Sequence, residues 1–138
     1  MGIFDRVIDT EATHTFTIDD TEITAKRADA EDARRFVDEH ANPELKDEAM
    51  RADRKTLLNK FFAEEVIVSI KDDDFEDTEG NRVMLMNYPQ FSPDAERIRN
   101  EAYTDSNFKM ERDEALKKFS PTTSEESDIG SESIAATG

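Results

Sequence analysis

The chain has 138 residues, enough for one domain with a core of its own, and carries 34 Asp+Glu against 18 Lys+Arg, a formal net charge of −16. That charge argues against direct binding to nucleic-acid phosphates or to an anionic membrane surface, both of which need clustered Lys and Arg. Without a cysteine, no disulfide, thiol nucleophile or thiolate metal site exists.

Residues 1–11 place Ile3, Phe4, Val7 and Ile8 at helical spacing, which predicts a short N-terminal arm. Residues 12–27 read as a β-hairpin. Thr13, Thr15, Phe16, Thr17 and Ile18 are strand formers, Asp19 to Glu22 form the turn, and Ile23 and Thr24 open the return strand. Asp29 is a good N-cap for a helix over 30–40, with Ala33, Phe36, Val37 and His40 as its stripe. Asn42-Pro43 stops that helix and starts a second one, expected over 43–64. The second stripe is Met50, Leu57, Leu58, Phe61 and Phe62, with Arg54 interrupting it and expected to reach outward.

The stretch 57–91 holds the densest apolar clusters, split by the acidic run Asp72 to Glu79. Val66, Ile67 and Val68 favour a strand over 65–70. Glu79-Gly80-Asn81 reads as a turn into a second strand over 83–88, giving an antiparallel pair, with Phe75 closing the acidic loop over its base. Alternation then puts Val83, Leu85 and Asn87 on one face and Met84, Met86 and Tyr88 on the other. Neither face is fully polar, so Met84, Met86, Tyr88 and the nearby Phe91 are the expected partner-binding residues.

Ser92-Pro93-Asp94 starts another helix, with Ala95, Ile98 and Ala102 inward. A last helix is expected over 107–119, with Phe108, Ala115, Leu116 and Phe119 inward. Residues 120–138 are acidic, Ser/Thr-rich and poor in large apolar side chains, the composition of a disordered tail dispensable for folding. The organisation expected is therefore an arm over 1–11, one α+β domain over 12–119 and a tail over 120–138.

Sites for chemistry are scarce. The run from Asp72 has acids at positions 1, 3 and 5 of a calcium loop, but Asp77 stands where glycine is needed and Val83 where the bidentate Glu belongs. His14 and His40 lie in different elements with no second ligand at metal spacing. No nucleophile elbow and no glycine-rich phosphate loop is present. The reading is a non-enzymatic protein without cofactor or metal, working by contact with other chains or with itself. No stretch of 18 apolar residues and no secretory leader pattern occurs, so the expected place is the compartment of synthesis. Acid spread along the whole chain, with Arg outnumbering Lys, fits a salt-loving host, where self-repulsion is screened.

In layout, the hairpin FTIDDTEITAKRADAEDARRFVDEH, a charged helix, and KTLLNKFFAEEVIVSIKDDDFEDTEGNRV resemble the tail assembly chaperones of tailed viruses. The resemblance covers roughly 16–116 as a pattern. It implies a small, non-catalytic protein of the host cytoplasm whose partner is a tape-measure or tail-tube protein, here in a virus of a halophilic archaeon. A permanent virion component, such as a head–tail connector or a capsid accessory protein, fits the same composition. So does a small acidic regulator or nucleic-acid mimic that occupies a basic partner.

Overall fold

The computed structural model describes residues 2–119; the expected tail over 120–138 lies outside them. The described residues divide into two compact units, one over 10–108 and one made of 2–9 with 109–119. The boundary thus leaves the expected last helix with the N-terminal arm instead of with the main domain.

The larger unit is α+β. Strands β1 (Thr13–Ile18) and β2 (Thr21–Lys26) form the hairpin, joined by Asp19-Asp20 with Phe16 opposite Ile23. Asp19 sits at φ 53°, a left-handed position that aspartate tolerates better than most residues. Strand β3 (Ile67–Lys71) adds antiparallel to β2, giving the order β1-β2-β3. Phe16, Ile18, Ile23, Ala25, Ile67 and Ile70 are buried on one face. The other face carries threonines and charges, and the Thr15 and Thr24 hydroxyls bond across it at 2.8 Å. Ile67 and Ile70 are three residues apart, which in a regular strand would send them to opposite faces. A bulge resolves this: Thr24 pairs with Ser69 and Ala25 with Ile67, so Val68 is unpaired and both isoleucines point inward.

Helix α1 (Ala30–His40) has the expected bounds, and Asp29 Oδ1 accepts the backbone N–H groups of Glu31 at 2.8 Å and Asp32 at 3.3 Å. Its inward residues are Ala33 and Val37, with Phe36 packed beside them; His40 is exposed. Helix α2 (Asp47–Phe61) starts four residues later than expected because Asn42 folds the chain into a turn, its Oδ1 accepting the Glu44 N–H at 3.0 Å. Arg54 reaches out to Asp38 at 2.7 Å, tying α2 to α1. The end of α2 widens into one π-helical turn, Phe62–Val66, before β3. Phe61, Phe62 and Ala63 are consecutive and all buried, so the helix end is enclosed on every side. The Phe61 ring lies 5.5 Å from Phe36, and the Phe62 ring lies 5.2 Å from Tyr103.

The expected second strand over 83–88 is instead helix α3 (Glu79–Met86). Thr78 caps it, its hydroxyl accepting the Asn81 N–H at 3.1 Å, and Asn81 Nδ2 donates to the Glu76 carbonyl at 2.8 Å. The expected turn at Glu79-Gly80-Asn81 is therefore the first turn of a helix. Gly80 has open space where a Cβ would stand. Gly80→Ala is expected to stabilise the protein by about 0.5–1 kcal/mol, read as a higher urea midpoint, because alanine restricts the unfolded chain and suits the helix.

Without a strand at 83–88, the outer edge of β3 is satisfied by side chains. Arg82 donates to the carbonyls of Ile67 at 3.1 Å and Val68 at 3.0 Å, and Asp77 accepts the Ile70 N–H at 3.2 Å. The two side chains also pair with each other at 2.6 Å. This ion pair occupies polar groups that would otherwise template another strand.

A 3-10 turn, Pro89–Phe91, leads into α4 (Ser92–Tyr103), which buries Ala95, Ile98 and Ala102 as expected. Asn59, the one buried polar residue among those described, accepts from Arg99 at 2.6 Å and donates to Asn87 Oδ1 at 3.0 Å, linking α2, the end of α3 and α4. A 3-10 turn, Asp105–Phe108, closes the unit with Phe108 buried.

In the smaller unit, the expected helical face of the arm is a 3-10 turn, Ile3–Asp5, followed by an antiparallel bridge between Ile8 and Lys109. Helix α5 (Arg112–Lys118) follows. The helix expected over 107–119 is thus interrupted at Lys109 and Met110, where the backbone pairs with the arm: the Met110 N–H meets the Val7 carbonyl at 2.8 Å. Ala115 is buried there, whereas Leu116 and Phe119 are exposed, contrary to the inward orientation expected of them. Asp5 binds Arg112 at 3.1 Å and accepts the Gly2 N–H at 3.0 Å.

Candidate functional site

The hairpin turn, the end of β3, the acidic loop and the segment from α3 to α4 meet around one pocket of about 320 Å³. Its apolar wall is Ile18, Ile23, Ile70, Phe75, Leu85 and Phe91. Its rim is acidic, with Asp19, Asp72, Asp74 and Asp94, and neither lysine nor arginine lines it.

Each wall has a local cause. Hairpin register puts Ile18 and Ile23 on the buried face, and the β3 bulge returns Ile70 to that face. The acidic loop is folded by its own first residue. Asp72 accepts the Thr21 hydroxyl at 2.5 Å and the Asp74 N–H at 2.8 Å, and the Phe75 N–H donates to the Asp72 carbonyl at 3.1 Å. These bonds anchor the loop to the hairpin and carry Phe75 over the core edge, where it packs as expected. Asp94 stands in the first turn of α4, where the helix dipole favours a carboxylate.

The Thr21 hydroxyl, and then the Asp74 N–H, hold the Asp72 carboxyl below the usual carboxylate range. The Arg82 guanidinium, and less strongly the Ile70 N–H, do the same for Asp77. Both groups are therefore charged near neutrality and act as acceptors, not as proton donors. A depressed folded-state value means stability that is present above the ordinary carboxylate range and lost as pH falls through the folded value. Asp77→Asn is accordingly expected to lower the urea midpoint at pH 7, and the gap to the parent should start to narrow as pH falls into the ordinary carboxylate range, near about pH 4, and close only below the depressed folded value.

The four residues expected to share a binding face are separated. On a helix, residues two apart point to nearly opposite sides, so Met84 is 70% exposed while Met86 is 1% exposed and belongs to the core. Tyr88, just beyond α3, is 57% exposed. Phe91 lines the pocket. Met84→Ser should leave the fold intact, whereas Met86→Ser should lower the thermal midpoint strongly. Leu85 and the hairpin residues of the pocket were not foreseen, since their meeting depends on β3 pairing with β2.

His14 binds Glu101 at 2.8 Å and stacks on Phe16; His40 donates to the Phe36 carbonyl at 2.8 Å and stacks on the Phe36 ring. These are packing arrangements within the fold. Among the described residues no group of three or more His, Asp or Glu is placed to hold a metal ion. No described helix is long and apolar enough to cross a membrane. Comparison with known proteins finds no matching family model, no similar curated protein and no similar solved structure.

Proposed function

We propose that the protein is a non-catalytic interaction module that acts by binding another protein chain, in the assembly of a tailed virus of a salt-loving archaeal host. The observation that carries the interaction role is the pocket with an apolar wall and an acidic rim at the hairpin end of the sheet. Apolar walls with a few placed charges suit binding. Asp72 at its rim is held in the charged form by hydrogen bonds within the loop, which adds negative charge facing a basic group. Met84 and Tyr88 are further exposed apolar side chains, outside the pocket lining.

The assembly setting is supported by the order of elements: hairpin, charged helices, apolar strand, acidic loop and further helices. The host is supported by the net charge of −16. The protein then works in the host cytoplasm on a tail component before the particle is complete. Mass spectrometry of purified particles, with deletion of the gene, tests this. The reading expects particles without tails from the deletion and no stoichiometric copy of the chain in intact ones. A stoichiometric copy in the particle would make it a permanent structural part. Normal particles from the deletion together with DNA-competed binding to a basic protein would make it a nucleic-acid mimic.

A further inference from the structure

We infer that the pocket takes an arginine-bearing apolar segment of another protein, with an apolar side chain seated among the partly exposed Phe75, Leu85 and Phe91 and a guanidinium at the rim. This rests on the interaction-module reading and specifies its ligand. Three features select that chemistry. An apolar side chain entering the pocket leaves water for a wall made by residues of three separate segments. Two aromatic rings, Phe75 and Phe91, line the same pocket, and a planar guanidinium stacks on aromatic faces where an ammonium is held mainly as a point charge. The four carboxylates of the rim have no lining cation to neutralise them.

The carboxylates differ in what they can offer. Asp72 already holds the Thr21 hydroxyl and the Asp74 N–H, so its charge helps while its geometry is committed to the loop. Asp74, in the acidic loop, and Asp94, in the first turn of α4, are the acceptors for an incoming guanidinium. A second copy of this chain is a poor occupant, because a surface with 34 Asp+Glu against 18 Lys+Arg would set further carboxylates at contact distance from the four of the rim, where salt screens least. Multimolar salt screens charges beyond about 3 Å, so long-range attraction contributes little there. Contact hydrogen bonds and apolar burial then carry the affinity, and both halves of the motif are required together.

The test uses the full chain in 2 M KCl and three fluorescent 12-residue peptides in a Gly/Ser background. One carries two arginines beside two leucines, one has serines in place of the leucines, and one has serines in place of the arginines. The Arg/Leu peptide is expected to bind at least ten times more tightly than either control. Its amide shift changes should centre on the hairpin turn, Phe75, Leu85 and Phe91. Asp74→Lys combined with Asp94→Asn, checked for folding by circular dichroism, should weaken it tenfold or more. Equal binding of the Arg/Ser peptide, unchanged affinity in the folded variant, shifts centred on Met84 and Tyr88, self-association through the pocket, or no binding at millimolar peptide would each overturn the inference. Such a failure leaves the particle experiment untouched, whereas a normal deletion phenotype strikes the assembly reading without bearing on the peptide.

Discussion

Lowering the salt should unfold the protein. With a formal charge of −16 on 138 residues, self-repulsion opposes the compact state, and at 0.1 M salt it is screened only beyond about 10 Å. In multimolar KCl the screening length falls below about 3 Å, shorter than most separations between surface carboxylates. Native stabilities are commonly about 5–15 kcal/mol, a margin small enough for the loss of screening to decide folding. Thermal or urea midpoints should climb steeply with KCl. A midpoint that stays flat from low to multimolar KCl would remove the salt-loving host from the account.

Phe62→Ala is expected to cost about 3–5 kcal/mol, the usual range for deleting a buried phenylalanine. Phe62 has no solvent exposure, its ring meets Phe61 and Tyr103, and it opens the π-helical turn that aims β3 at the hairpin. The cavity would lie where helix, sheet and α4 converge, so neighbours have little freedom to collapse into it. Urea unfolding in high salt measures this. A loss under about 1 kcal/mol would mean that this junction is not the centre of the core.

Local chemistry made some elements legible. Asp29 as cap and Asn42-Pro43 as stop fix α1 to the residue, and Ser92-Pro93-Asp94 marks α4 closely. The run Val83-Met84-Leu85-Met86 is apolar throughout, so its periodicity serves strand and helix alike. What decides for helix is Thr78 as N-cap, with Asn81 and Arg82 bonding back to the loop and the β3 edge; the Gly80-Asn81 pair masked that signal. The pairing of β3 with β2 joins residues more than forty positions apart, a tertiary fact that local pattern does not carry. The pocket inherits that difficulty. Phe75 stands out as the apolar residue within the acidic run and Phe91 as one near Tyr88, but Ile18, Ile23 and Leu85 join them only once the sheet is assembled.

The central claim is that the pocket face meets another protein chain. A photo-crosslinking residue placed at Asp74, on the pocket rim, and separately at Lys55, which does not line the pocket, tests it in the cells that make the protein. The account predicts an adduct from position 74 to one tail-assembly protein, joined through an arginine-bearing apolar segment, and none from position 55. Identical adducts from both positions, or none from position 74 while tails assemble normally, would contradict it.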